Sequence, residues 1–405
     1  MILLKRNFSW ALIGNVTLAL SQFIILIIFT KLGGPIAVGQ YTLALAICAP
    51  IFLFLSFKLR AAISTDKKNE FDYNEYSLIR RLGNIVGVIL VIIILIMSNY
   101  SFEVATMIFL MSILKVFESQ SEIIFGALQK KERMKLISIS YILRGTLSVP
   151  VVFVTYLFLN DLVISIIGLI IVRILILYTY DKKNLKDLGI NQQNRLIFNK
   201  KILSLLLLVL PLGISVTIGS LKTNVPRYFI EGYLGQYELG IFASISYLLV
   251  AFGTMISSLS QAVLPRLSQY YGENDNEKFK SLLSKLISFG FLVGLFAIIL
   301  VFFFGEIFLT LVYSREYAAY NHILLLITCG AIFQYATVFL GTSITAMRKF
   351  KKELPVHSSA LIAITIASYA LIPKFGLEGA AIALVIGFIV STIGYIITYL
   401  NLIRN

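Results

Sequence analysis

Charge is what this chain has least of. Only 14% of its 405 residues are Asp, Glu, Lys or Arg, against about 25% in a soluble domain, and 58% are hydrophobic. A water-soluble globular fold is excluded. Cysteine is nearly absent: Cys48 and Cys329 both fall inside apolar runs, which leaves neither a disulfide framework nor a thiolate metal cluster. Histidine occurs only at 322 and 357, on different predicted helices, so no zinc site and no histidine-based transferase centre is expected. A phosphate-cradling GxxxxGK(S/T) loop is missing as well. Gly235 and Gly240 have the glycine spacing, but Ile241 follows, so no nucleotide site, and no cofactor of any kind, is expected. Long polar stretches are also lacking. Connections run to roughly 24 residues at most, too little for an extramembrane active-site domain.

What is present is apolar sequence in lengths of about 20 residues, the span of a bilayer core. Twelve such segments are predicted, at 8–30, 36–57, 82–98, 103–129, 136–158, 162–180, 202–233, 239–264, 283–305, 320–347, 355–372 and 378–402. The fold class expected is therefore all-α integral membrane. The net charge of +15 would suggest nucleic acid in a soluble chain, but here it tracks topology. With a cytoplasmic N-terminus, 27 of the 35 Lys and Arg fall on the cytoplasmic side, five on the other, counting Lys222 and Arg227 in the outer part of helix seven, and three, Lys115, Arg144 and Arg173, within other spans. That is the positive-inside pattern. It places both termini in the cytoplasm, makes anionic membrane lipids the partner of the exposed lysines, and removes the reason to invoke nucleic acid.

The chain also carries an internal repeat. Ile13-Gly14-Asn15, Leu32-Gly33, Leu59-Arg60, Gly83 to Gly87 and Ala127-Leu128-Gln129-Lys130 recur in order as Leu212-Gly213-Ile214, Leu234-Gly235, Pro265-Arg266, Gly290 to Gly294 and Ala346-Met347-Arg348-Lys349, at offsets rising from 199 to 219. Two six-helix bundles follow, 1–180 and 202–405, joined by a cytoplasmic linker at 181–201. Six is even, so the halves insert alike and are related by a pseudo-two-fold along the membrane normal, as in transporters built from parallel repeats. The GxxxG pairs are expected to bring helices together closely. Helices one and seven read as interrupted, by Gly14, Asn15, Ser21 and Gln22 in one and by Pro211, Gly213, Gly219 and Pro226 in the other, and broken helices at matching positions point to a transport site.

Ionisable residues within the spans are expensive and so tend to face polar cavities. Lys115, Glu118 and Glu122 lie at i, i+3 and i+7, on one helix face. One base for two acids leaves a carboxylate over, which makes Glu118 and Glu122 candidates for proton or ion coupling, together with Glu231. Arg144, Arg173, Lys222 and Arg227 have too few acids nearby to cancel them, and an excess of buried cations suits an anionic substrate such as a phosphate. Lys115 joins this cationic set. The alternative for each is an interhelical ion pair. Asn15, Gln22, Thr223, Asn224 and Gln261 are the polar candidates beside them.

Three stretches resemble bacterial polysaccharide biosynthesis proteins, the lipid-linked oligosaccharide flippases: LRAAISTD at 59–66, NVPRYFIEGYLGQYELGIFASISYL at 224–248 and NFSWALIGNVTLALSQFIILIIFTKLGG at 7–34. These belong to the multidrug, oligosaccharidyl-lipid and polysaccharide exporter superfamily. The resemblance implies a MATE-like pair of bundles around a cationic cavity. It implies a non-enzymatic flippase in the bacterial plasma (inner) membrane that moves an undecaprenyl-diphosphate oligosaccharide of O-antigen or capsule type outward by ion-coupled alternating access. Working partners would be the polymerase and chain-length regulator of the same pathway. Two alternatives stand beside it. A multidrug and toxin cation antiporter would want acidic residues on helix one, which has none. A membrane enzyme of the pathway would want a large external or Asp-rich loop.

Overall fold

Backbone groups that enter lipid must be satisfied within their own segment, and the long apolar runs accordingly fold as helices. The computed structural model describes residues 2–66, 70–190, 200–347 and 349–404, and no strand occurs among them. The helices are α1 (Ile2–Phe54), α2 (Leu59–Thr65), α3 (Tyr73–Met97), α4 (Phe102–Lys130), α5 (Met134–Leu159), α6 (Leu162–Ile176), α7 (Lys182–Lys186), α8 (Lys200–Leu234), α9 (Gln236–Gly272), α10 (Asn276–Val312), α11 (Arg315–Ala318), α12 (Asn321–Ala346) and α13 (Glu353–Arg404). Nine helical segments among the described residues are long and apolar enough to cross a membrane. Two of them are bent double segments: α1 turns at Gly34 (φ 70°) and α13 at Gly376 (φ 56°). A side chain at such a φ is disfavoured, so glycine marks both corners. α4 falls outside the nine because its 29 residues carry Glu103, Lys115, Glu118, Glu122 and Lys130.

The expected interruptions of helices one and seven are not there. α1 runs unbroken through Gly14 and Asn15 to its bend at Gly34, and α8 through Pro211, Gly213 and Pro226. The reason is packing. A Cβ on Gly14 would lie 2.7 Å from Ser138 Cα of α5, and one on Gly213 would lie 2.7 Å from the Phe54 carbonyl. These glycines let helices touch rather than break them. The prolines each delete one backbone hydrogen bond without ending the helix. At the α1–α5 contact Ser138 Oγ also donates to the Trp10 carbonyl at 2.6 Å. Gly14→Ala is therefore expected to cost about 1–3 kcal/mol through overpacking, read as a lower thermal midpoint in detergent. An unchanged midpoint would mean that α5 yields. The GxxxG pairs act as expected: Gly83 and Gly87 meet Leu55 and Phe52, and Gly290 and Gly294 meet Tyr335, Phe339 and Ile332.

The chain divides into two compact units, Met1–Ser220 and Leu221–Asn405. In the first, α4 is the central helix and packs against α1, α2, α3 and α6. In the second, α12 packs against α9, α10 and α13. Both ends of the segment read as a linker, 181–201, continue into the first unit. A π-helical turn, Leu177–Asp181, prolongs α6, and Leu185 is buried beside Ile124, Leu128 and Leu177. Ile202, Leu205 and Val209 of early α8 join a core with Leu55, Leu59, Tyr76 and Ile79. Residues 191–199 lie outside the described ones.

Candidate functional site

The face of α4 that carries Lys115, Glu118 and Glu122 organises the first unit's polar interior. Lys115 Nζ donates to Glu118 Oε2 at 2.9 Å, and Arg173 Nε of α6 donates to Glu118 Oε1 at 3.2 Å. Arg173 is held from a second side, where its Nη1 reaches Ser148 Oγ of α5 at 2.9 Å. Next to it, Arg144 Nη2 donates to Asp181 Oδ2 at 2.7 Å, with the two residues only 3% and 1% exposed. Phe125 of α4 presents its ring to the Arg144 guanidinium at 5.0 Å, a cation–π contact that partly replaces lost hydration. Glu122 takes two donors, Arg60 Nη1 and Tyr141 Oη, both at 3.0 Å. Arg60 reaches it because Gly126 leaves room for the α2 backbone: a Cβ there would sit 3.2 Å from Arg60 Cα.

Glu118 and Glu122 thus each hold two donors. The acid surplus inferred from α4 alone disappears, because cations from α2 and α6 answer it. Arg144 likewise has a carboxylate that its own helix does not supply. What remains in excess is positive charge. A cavity of about 280 Å³ is lined by Arg80, Lys115, Arg144 and Arg173 against Glu118 and Glu122, with Gln22 at its wall. Arg80 is 2% exposed, donates to the Ser56 carbonyl at 3.3 Å, and has no carboxylate partner among the described residues.

In the second unit the candidates lie along α8. Arg227 Nη1 donates to the buried Asn224 Oδ1 at 3.2 Å, and Lys222 Nζ lies 3.1 Å from His357 Nδ1 of α13. Neither cation has a carboxylate partner among the described residues, and half-buried Glu231 forms no ion pair with Arg227. Thr223 and Gln261 are exposed. Asn15, also exposed, donates its amide back to the Ala11 carbonyl at 2.9 Å.

Four residues of the first unit's polar interior are given no role by the sequence: Arg60, Arg80, Tyr141 and Asp181. Arg60 and Arg80 sit among the basic residues of 58–81 that the positive-inside count assigns to a loop. Yet Arg80 belongs to the second turn of α3. Asp181 follows Arg173 by eight residues, a spacing compatible with one helix face, but the π turn shifts the register beyond what a 3.6 period foresees. Arg60 stands in the repeat pair Leu59-Arg60 and again in LRAAISTD, but neither assigns it a partner.

A second cleft, of about 860 Å³, opens at the α4–α5 turn between Lys130, Lys131, Arg133 and Lys135, with Glu132, Asn7 and Trp10. Lys135 Nζ stands 5.5 Å from the Trp10 ring centroid. Outside the spans, Asp66 closes the α2–α3 turn. Burial pushes its carboxyl up, but hydrogen bonds from the Glu70 and Phe71 amides and the nearby Lys130 charge outweigh this and hold it below the usual range.

Residues 4–271 match the family model described as polysaccharide biosynthesis protein, and 211–372 match the one described as MatE. The capsular polysaccharide biosynthesis protein CapF of Staphylococcus aureus is 35% identical over 97% of this chain and 98% of its own length. A putative O-antigen transporter of Shigella flexneri is 23% identical over 42% of this chain and 40% of its own. Among solved structures, the lipid II flippase MurJ in an inward closed conformation superposes with a TM-score of 0.78 at 16% identity, over 96% of this chain and 87% of that one. An inward-facing MATE family multidrug transporter gives 0.72 at 13% identity, over 98% and 99%. The shared architecture is the transporter fold of a multi-pass membrane protein.

Proposed function

The chain belongs to the polysaccharide biosynthesis protein family, and from that premise we propose that it flips an undecaprenyl-diphosphate-linked oligosaccharide repeat unit, of O-antigen or capsule type, from the cytoplasmic to the outer leaflet of the bacterial plasma membrane. The observation that carries this reading is the cavity around α4, where four cations face two carboxylates. A diphosphate supplies the missing negative charge, and arginine offers it a planar fork of donors. Glu118, Glu122 and Asp181 orient those cations, while Gln22 at the cavity wall is offered to sugar hydroxyls. Lys222 and Arg227 are the corresponding cations of the second unit.

Counting each bent helix as two spans and adding α4 to the apolar set gives twelve spans, six to a half, with both termini cytoplasmic by the distribution of lysine and arginine. Alternating access of the two halves, driven by an ion gradient, moves the headgroup without making or breaking a covalent bond, so the protein is a transporter and not an enzyme. The polymerase and chain-length regulator of the same pathway receive its product.

Mass spectrometry of polyprenyl lipids tests this. Cells lacking the protein are expected to accumulate a complete undecaprenyl-diphosphate oligosaccharide. A normal lipid profile with new sensitivity to cationic dyes would point to a drug antiporter instead. The basic cleft adds a lipid partner. Trp10 is the single tryptophan, so its emission is expected to respond to the anionic lipid fraction of reconstituted vesicles. That response should weaken with salt and in a Lys130→Ala, Lys135→Ala double variant. Equal response in neutral lipid would discard a headgroup site there.

A further inference from the structure

The second unit holds a chain of three polar side chains of which the flipping reading uses only Lys222. Lys222 Nζ of α8 is 3.1 Å from His357 Nδ1, and His357 Nε2 is 3.2 Å from Tyr395 Oη. The two rings stand edge to face with centroids 5.8 Å apart. The contact is built in by small residues. A Cβ on Gly341 of α12 would touch the Tyr395 ring and hydroxyl at 3.5 Å, and one on Gly394 would lie 2.9 Å from Val356 Cγ1, so the two arms of α13 lie close together beside α12. Tyr395 is 3% exposed. On α12 the face at the repeat offset of 219 carries Gln334, Thr337 and Gly341 where α4 carries Lys115, Glu118 and Glu122. At these positions the second unit carries no counterpart of the α4 ion network, and Tyr395 packs against Gly341 there.

The chemistry of the contact fixes its proton count. An ammonium group only donates, so at 3.1 Å His357 Nδ1 must offer its lone pair to Lys222. The other possibility is that the amine is neutral and accepts from Nδ1–H. In either form one proton lies between the two nitrogens; the ammonium form carries one positive charge, and the neutral-amine form, with Tyr395 Oη donating to Nε2, carries none. In the first form Nε2–H donates to Tyr395 Oη. Of the titratable groups in this region, Lys222 from α8 and Tyr395 from the second arm of α13 meet the imidazole, Tyr399 packs on the same apolar cluster as Tyr395, and Glu353 lies one turn before His357 on its own arm. Glu353 accepts from Thr345 Oγ1 at 3.0 Å. A second proton, taken from water by the Nδ1 lone pair, would set two donors face to face, and the pair must then part.

We propose that Lys222, His357 and Tyr395 form a one-proton site in the second unit, and that uptake of a second proton on His357 Nδ1 separates His357 from Lys222 and so couples proton binding to movement of α13 against α8. This rests on the reading of the chain as a gradient-driven transporter and names where its proton is taken up. The proton returns to water from the same nitrogen, and no other bond changes.

The chain has only two histidines, so the full-length protein, labelled with nitrogen-15 histidine and held in lipid nanodiscs, gives two imidazole signal sets, assigned with His322→Gln. His357 is expected to show a non-protonated Nδ1 and a protonated Nε2 that convert in one step as pH falls. In Lys222→Met, Nδ1 protonation is expected to set in about one pH unit or more higher. In Tyr395→Phe the Nε2–H tautomer is expected to lose population. In proteoliposomes the ratio of lipid-linked oligosaccharide transport with and without a proton gradient should fall to unity in His357→Gln while exchange at zero gradient persists. Histidine spectra unchanged in both Lys222→Met and Tyr395→Phe, or an unchanged gradient ratio in His357→Gln, would overturn the proposal. Wild-type vesicles that move no such lipid would instead overturn the flippase reading, and the spectra would still decide the proton site.

Discussion

Asp181→Ala is expected to destabilise the protein by about 3–5 kcal/mol, the cost of leaving a buried partner charge uncompensated. Arg144 and Asp181 are 3% and 1% exposed and joined at 2.7 Å. Arg144 Nε and Asp181 Oδ1 already lack partners among the described residues, so no second hydrogen bond is in place to hold either charge once its partner is removed. Arg144→Ala should cost a similar amount by the reverse route. An Arg144→Met, Asp181→Leu double variant should recover most of the lost stability, because the desolvation cost of both ions goes with them. Export is where the two roles separate. If Arg144 faces the diphosphate from the cavity wall, the double variant will fold and still fail to export. Thermal unfolding in detergent and surface polysaccharide in the complemented deletion strain read the two quantities. A midpoint unchanged by Asp181→Ala would show that the pair does not hold α5 against the end of α6. Full export by the double variant would show that Arg144 serves only the fold.

How much of this was legible in the sequence differs between backbone and side chains. Span positions follow from solvent physics, and the bends at Gly34 and Gly376 fall between predicted spans, at 30–36 and 372–378. The role of Gly14 and Gly213 was misread because a glycine that breaks a helix and one that admits a neighbour look alike in one dimension. Only the Cβ clash with Ser138 or Phe54 tells them apart. Charge pairing was less legible still. Glu118 and Glu122 could be placed on one face from their spacing, but their partners Arg173 and Arg60 lie 55 and 62 residues away. No periodicity reports such a distance. Asp181 was hidden by a π turn, and Arg80 by a loop assignment that ran nine residues into α3. The cationic surplus was visible as arithmetic, and its address was not.

Arg227→Ala is expected to lower export by about 10- to 100-fold, the worth of one charge-assisted hydrogen bond to an anionic group, with little change in folding. The contrast with Arg144 comes from the surroundings. Arg227 leans on Asn224, one turn back on the same helix, at 3.2 Å, and no carboxylate among the described residues depends on it, so its removal strands no charge. Pro226 beside it has no N–H, which leaves the carbonyl of Lys222, four residues earlier, without its usual helical donor. A cation and a freed carbonyl on one stretch of helix make a polar spot inside an apolar span, costly unless it meets a ligand. Arg227→Lys should restore part of the export, since the charge remains but the planar fork that grips two phosphate oxygens does not. Flipping of lipid-linked oligosaccharide in proteoliposomes at matched protein levels measures both variants. If Arg227→Ala flips as fast as the parent, the cations of the second unit do not hold the diphosphate, and recognition of the headgroup would rest on the α4 cavity alone.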